Sequence, residues 1–174
     1  MTTEQLKALI RDVPDFPKPG ILFKDITPLL RSPEALDEAC AMLAEPFRGE
    51  NISHVAAIES RGFIFGSLVA RHLGAGFIPI RKPGKLPWTK RRHEYVLEYG
   101  TDALEIHDDA LTPDDRVVVV DDVLATGGTA AAAATLVRGF DANLVGVATL
   151  IELEFLDGRA KLGSDVAVHS LLRY

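Results

Sequence analysis

Two spacings of apolar residues alternate along the chain. Leu6, Leu9 and Ile10 fall on one side of a short amphipathic helix over residues 3–12 that Pro14 ends. Leu36, Ala39, Cys40 and Leu43 recur at helical intervals, so the spacing predicts a helix from Pro33 or Glu34 to about Arg48, capped by Ser32. Between such stretches lie short, continuous apolar runs. His54–Ile58 reads as a strand, residues 63–72 as a helix, and Gly76–Ile80 as a strand in which Pro79 marks an end or a sheet edge. Residues 95–99 and 103–106 alternate as a β-hairpin turned at Gly100-Thr101-Asp102. Four successive valines, 117–120, suit a strand buried on both faces. A helix over 130–139, a buried strand over 143–153, a short helix over 155–162 and a closing strand over 166–172 complete the pattern. Strand and helix alternate through most of the chain, which predicts an α/β fold with a doubly wound, mostly parallel sheet. Ligands of such sheets bind at the carboxyl ends of the strands.

Length and composition narrow the class. One domain spanning 1–174 is expected, with 47% hydrophobic and 25% charged residues, ordinary for a soluble globular enzyme. A formal charge of −6 argues against a generic nucleic-acid partner. Cys40 is the single cysteine, so no internal disulfide framework is possible, and His54, His72, His93, His107 and His169 match no metal-ligand spacing. The first residues lack a secretory signal and no apolar stretch reaches spanning length, so no membrane partner is expected and the cytoplasm is the default compartment.

Chemistry concentrates where the valine run ends. Asp121 and Asp122 lead into Ala125-Thr126-Gly127-Gly128-Thr129, just before an Ala-rich helix. Backbone N–H groups of residues 126–129 and the positive helix end can cradle a phosphate, with the Thr126 and Thr129 hydroxyls completing the donors. Carboxylates would repel that phosphate. They make sense as acceptors for the hydroxyls of an attached sugar, so the implied ligand is a ribose 5-phosphate. The plainer alternative is that Thr126 or Thr129 caps the helix and the acids sit in its first turn. Neither a Walker loop nor G-x-G-x-x-G is present.

Other stretches can be read around that ligand. Glu59-Ser60-Arg61-Gly62 follows a strand and precedes a helix, so Arg61 and nearby N–H groups could hold a second anion at the same sheet edge. The four prolines between Val13 and Pro19 and at Pro28, with Phe16, Ile21, Leu22, Phe23 and Ile26, predict an irregular, stiff, apolar loop. It could cover a flat ligand, with Phe23 on its face, or be a surface loop pinned by apolar anchors. Arg81, Lys82 and Lys85 suit a mobile cationic flap closing on a polyanion, whereas Lys90, Arg91 and Arg92 read as a solvated loop.

F-P-K-P-G-I-L-F-K-D-I-T-P, E-S-R-G-F-I-F-G, I-R-K-P-G-K-L-P, L-E-Y-G and V-V-V-V-D-D-V-L-A-T-G-G-T resemble, in that order, the motifs of the adenine phosphoribosyltransferase family, whose members have the type I phosphoribosyltransferase fold. The resemblance implies an N-terminal hood (about 1–32), a flexible hairpin loop (about 82–102) carrying Tyr95 and Tyr99, and a homodimer. It implies condensation of adenine with phosphoribosyl pyrophosphate to AMP and pyrophosphate, with magnesium carried on the donor. By the same resemblance Ala125, Thr126, Gly127, Gly128 and Thr129 meet the 5-phosphate, and Asp121 and Asp122 the ribose. Glu59, Ser60 and Arg61 match the pyrophosphate loop. Arg81, Lys82 and Lys85 match cationic positions serving it, Arg81 from the neighbouring subunit. Leu22, Phe23 and Lys24 match the adenine site, where positions 22 and 24 act through their backbones. Related enzymes for 6-oxopurines resemble this signature but have aspartate where this chain has Ala125, placed to handle the purine N7 proton. An alanine packs against the base but cannot exchange a proton with it. The acid of the mobile loop, Glu98, is then the group expected to do so, with Arg61 its catalytic partner. The W-T-K-R-R-H-E segment departs from the family pattern, and Glu59 replaces an aspartate found in some relatives. Two other readings stay open, a phosphoribosyltransferase for hypoxanthine, guanine or xanthine, and a regulator that senses the donor.

Overall fold

The computed structural model describes residues 1–96 and 100–174. α1 (Thr3–Lys7) is fixed by a capping box between Thr2 and Gln5. It is shorter than its apolar spacing predicts because Arg11–Pro14 forms β1, which pairs antiparallel with β2 (Leu22–Asp25). The proline-rich segment therefore contains a ladder after all. Pro17 and Pro19 lie in the connecting turn, where no ladder donor is needed, and Asp15 closes that turn by accepting from the Gly20 N–H at 2.8 Å. α2 (Thr27–Leu30) carries Pro28 in its first turn, and Asp25 accepts from both the N–H and the hydroxyl of Thr27.

α3 (Pro33–Ala44) starts where expected, with Ser32 accepting from the Ala35 N–H, but gives way to a 3₁₀ turn at Pro46 before reaching Arg48. β3 (His54–Ile58), α4 (Gly62–Leu73) and β4 (Gly76–Ile80) follow. β5 (Lys90–Val96) pairs antiparallel with β6 (Thr101–His107), so the hairpin begins earlier than the alternation at Tyr95 suggested. Lys90, Arg91 and Arg92 accordingly lie in a strand and not in a solvated loop. Arg91 donates to the Gly139 carbonyl and its guanidinium lies 3.7 Å from the Phe140 ring centre.

β7 (Arg116–Leu124) extends past its valines through the acid pair, and α5 (Gly128–Arg138) begins after a three-residue loop. β8 (Asn143–Glu152) is followed by two 3₁₀ turns, Glu154–Leu156 and Gly158–Leu162, in place of the single short helix expected there. β9 (Ala167–Arg173) closes the fold.

Five parallel strands form the central sheet in the order β4-β3-β7-β8-β9, with Pro79 on an edge strand as its missing N–H requires. The valines of central β7 divide by alternation. Val118 and Val120 enter the core with Leu43, Phe65 and Val69 of α3 and α4, whereas Val117 and Val119 enter the one with Ala133, Leu136 and Val137 of α5. Burial on both faces fixes the register of β7, and with it the positions of the acids at its carboxyl end.

Candidate active site

β3 and β7 are neighbours, so the loops beyond their carboxyl ends face one another. Residues 59–61, Lys82 and residues 121–130 enclose a pocket of about 480 Å³. The first N–H groups of α5 have no partner within the helix and belong to residues on the pocket wall. The cap residue is Gly127, at φ +80°, and no side chain caps this helix, so neither Thr126 nor Thr129 has the capping role that was the plainer alternative. Glycine is required at 127 for a second reason. A Cβ there would lie 2.0 Å from the Gly158 carbonyl oxygen, so the loop rests directly on another stretch of backbone.

Asp121 and Asp122 are both buried at the pocket wall. Asp122 receives Arg61 Nε at 2.7 Å, and Asp121 Oδ1 accepts from the Asp122 N–H at 2.8 Å. Gly62 lets α4 approach closely, since a Cβ there would lie 2.8 Å from Asp121 Oδ1. Burial pushes the Asp121 carboxyl well above the usual range, and the neighbouring Asp122 charge adds to it. Burial raises Asp122 too, opposed by Arg61. Such a pair gains most from neutral donors such as sugar hydroxyls, which satisfy acceptors without adding a like charge.

Glu59, joined to Ser60 by a cis peptide, faces two cations, with Arg81 Nε at 2.6 Å and Lys85 Nζ at 2.8 Å. Burial pulls its pKa up, but the bonds from Lys85 and Arg81 outweigh this and hold the carboxyl below its usual value. Arg81 and Lys85 are thus committed to Glu59 of their own chain, and Lys82 is the member of the cationic trio on the pocket wall. Lys82 pairs with the Asp102 carboxylate and donates to Tyr95 Oη at 3.3 Å. Tyr95 Oη is also 3.3 Å from Thr129 Oγ1, and the Tyr95 ring lies against Gly128. The hairpin base is therefore bonded to the start of α5. Glu98 and Tyr99 lie outside the described residues.

On the hood side, the Phe23 ring meets Phe16 edge-on at 5.1 Å, and the Arg61 guanidinium lies 5.5 Å from its centre. Phe23 is thereby tied to the residue that holds Asp122. Leu22 is half exposed. The Lys24 ammonium turns to Asp12 at 2.6 Å and to the Tyr174 ring at 4.0 Å. Ala125 lies on the pocket wall. Asp102, Glu152, Gly158 and Arg159 were not singled out by sequence reasoning. The first two are carboxylates on strands with no local motif, and the G-R pair sits in a stretch whose apolar spacing resembled a helix.

A family model for the phosphoribosyl transferase domain matches residues 25–168. An adenine phosphoribosyltransferase of Nitrosococcus oceani is 56% identical over 171 residues, covering 98% of this chain and 99% of that one. Among solved structures, the Saccharomyces cerevisiae adenine phosphoribosyltransferase complexed with D-2,5-dideoxy-2,5-imino-altritol 1,6-bisphosphate and adenine superposes with a TM-score of 0.91. It is 42% identical and covers 98% of both chains. The adenine phosphoribosyl transferase of Trypanosoma brucei in complex with AMP, pyrophosphate and ribose-5-phosphate has a TM-score of 0.89 at 27% identity, over 98% of this chain and 79% of that one. On the sequence, the sheet order and these likenesses together, this chain belongs to the adenine phosphoribosyltransferase family.

Proposed function

We propose that this chain transfers the 5-phosphoribosyl group of phosphoribosyl pyrophosphate to adenine, giving AMP and pyrophosphate in purine salvage. The observation that carries this reading is the opening of three chemistries onto one pocket: the glycine-rich start of α5, the buried acid pair and the Glu59-Ser60-Arg61 loop. The relatives bound to adenine, AMP and pyrophosphate hold ligands of the same kinds.

Residues 125–129 grip the 5-phosphate through amides and the Thr126 and Thr129 hydroxyls, and Asp121 and Asp122 accept from the ribose hydroxyls. Ser60, Arg61 and Lys82 meet the diphosphate, with Glu59 organising Arg81 and Lys85 beside it. Adenine lies between the Phe23 face and the Ala125 methyl, and the backbones of Leu22 and Lys24 read its edge. Magnesium, carried by the donor, would supply positive charge against the departing diphosphate beside Arg61 and Lys82. Among the described residues no cluster of three or more His, Cys, Asp or Glu side chains is positioned to hold a metal. N9 of adenine attacks C1 as the diphosphate leaves, Arg61 and Lys82 stabilise the departing charge, and Glu98 handles the N7 proton. The working unit is a cytoplasmic homodimer.

The test is to incubate the purified protein with magnesium, donor and each purine in turn. AMP should form from adenine, and exclusive formation of IMP or GMP from the 6-oxopurines would overturn the assignment.

A further inference from the structure

The loop proposed to grip the phosphate does not stand alone. Gly127 and Gly158 are in backbone-to-backbone contact, and the requirement is mutual. A Cβ on Gly127 would lie 2.0 Å from the Gly158 oxygen, and a Cβ on Gly158 would lie 2.2 Å from the Ala125 oxygen and 3.0 Å from the Gly127 nitrogen. The 3₁₀ turn that begins at Gly158 is therefore the floor on which residues 125–127 lie.

That turn is a five-residue 3₁₀ segment, whose hydrogen-bond geometry is poorer than an α-helix's and makes it a weak support by itself. Its anchor is the next residue. Arg159 grips the Glu152 carboxylate with both prongs, Nε to Oε1 at 2.5 Å and Nη2 to Oε2 at 2.6 Å. Its remaining nitrogen, Nη1, donates to the Val168 carbonyl of β9 at 2.8 Å. Glu152 is the last residue of β8 and is buried, and the following residue returns to the site's own strand through Leu153 N–H to the Leu124 carbonyl at 3.0 Å. A planar guanidinium fixed at three points sets both position and orientation, which a single ammonium contact cannot do.

We infer that Arg159 is a positioning residue for the phosphate loop, holding Gly158 against Gly127 and Ala125 through its fork on Glu152 and its bond to Val168. This rests on the reading of residues 125–129 as the phosphate grip. Arg159 itself touches no substrate. Its removal should let the floor sink and spread the amide donors, so it should be felt by ligands that carry a phosphate and not by those that lack one.

The experiment compares inhibition constants of AMP and adenosine, and the donor KM and kcat, in wild type, Arg159→Ala and Arg159→Lys. In Arg159→Ala, AMP affinity should fall about ten- to a hundredfold and the donor KM should rise in parallel, with kcat and the adenosine constant little changed. Arg159→Lys, which keeps the charge but not the fork, should fall between. Equal losses for AMP and adenosine, or unaltered AMP binding in a folded Arg159→Ala protein, would overturn the inference. Should Arg159→Ala fail to fold, Arg159→Lys and Glu152→Gln carry the same comparison. The wild-type protein separates the two layers of argument. If it does not favour AMP over adenosine, the phosphate-grip reading fails. If it does and the variants favour AMP as strongly, only the role of Arg159 fails.

Discussion

Gly127→Ala tests the phosphate loop at its narrowest point. Gly127 sits at φ +80°, where an L-residue costs roughly 1–2 kcal/mol. The new methyl would lie 2.0 Å from the Gly158 oxygen and 2.8 Å from its carbonyl carbon. Carbon and oxygen normally approach to about 3.3 Å, so one backbone must retreat by about 1 Å. Gly158 is held by its neighbour's ion pair, so part of the retreat falls on the loop. A misplacement of that size costs about a hundredfold in rate where geometry carries the catalysis. The donor kcat/KM should therefore fall about a hundredfold, and with a total penalty of about 2–3 kcal/mol the melting temperature should drop by roughly 4–12 °C for a chain of this size. Gly49→Ala is the matched control. It has φ +84° and nothing within 4 Å of a new Cβ, so it carries the backbone cost without the collision. Wild-type donor kcat/KM in Gly127→Ala, or a thermal loss no greater than that of Gly49→Ala, would refute the close apposition.

Three further outcomes follow from the site's charges. Glu98→Ala should lower kcat about a hundredfold or more while AMP binding stays near wild type, checked by steady-state kinetics and calorimetry, and an unchanged kcat would remove Glu98 from proton handling. Asp121→Asn should weaken donor binding yet raise the melting temperature at neutral pH. The Asp121 carboxyl titrates higher in the folded chain, so the fold binds more protons than the unfolded chain and loses stability as pH rises from the ordinary carboxylate range through the raised value. The stabilisation by Asp121→Asn should vanish in acid below that ordinary range, which thermal melts across pH would show. Glu59→Gln should behave in the opposite sense. The Glu59 pKa is depressed, so its contribution is present above the ordinary value and lost as pH falls through the depressed one. Arg81 and Lys85 are a third to a half exposed, so the neutral-pH loss should be about 1 kcal/mol, and a pH-independent difference in melting would contradict the ion-pair account.

What the sequence made legible is what contiguous residues decide together. His54–Ile58 and Gly76–Ile80 are strands with the bounds their apolar runs predict, the first because its burial demands an unbroken apolar run and both because turn residues stop them. The amide-rich loop was legible for a like reason, since its glycines and threonines occupy four adjacent positions, 126–129. β7 ran further than expected because burial, and not polarity, governs its end. Asp121 and Asp122 stay in the strand because the Asp122 N–H and the Arg61 guanidinium take up acceptor capacity that water would otherwise satisfy. β1 and β2 escaped notice since each is only four residues long and is a strand only by virtue of the other. Supports for the site were hidden in the same way. Nothing near Lys82 announces Asp102, and nothing near Gly127 announces Gly158, because each pair is made by the folding of the sheet and not by local spacing. A sequence therefore displays the groups that touch a ligand more readily than the groups that hold them still. Substitutions at Asp102, Gly158 and Arg159 are where activity should be lost with every family motif intact.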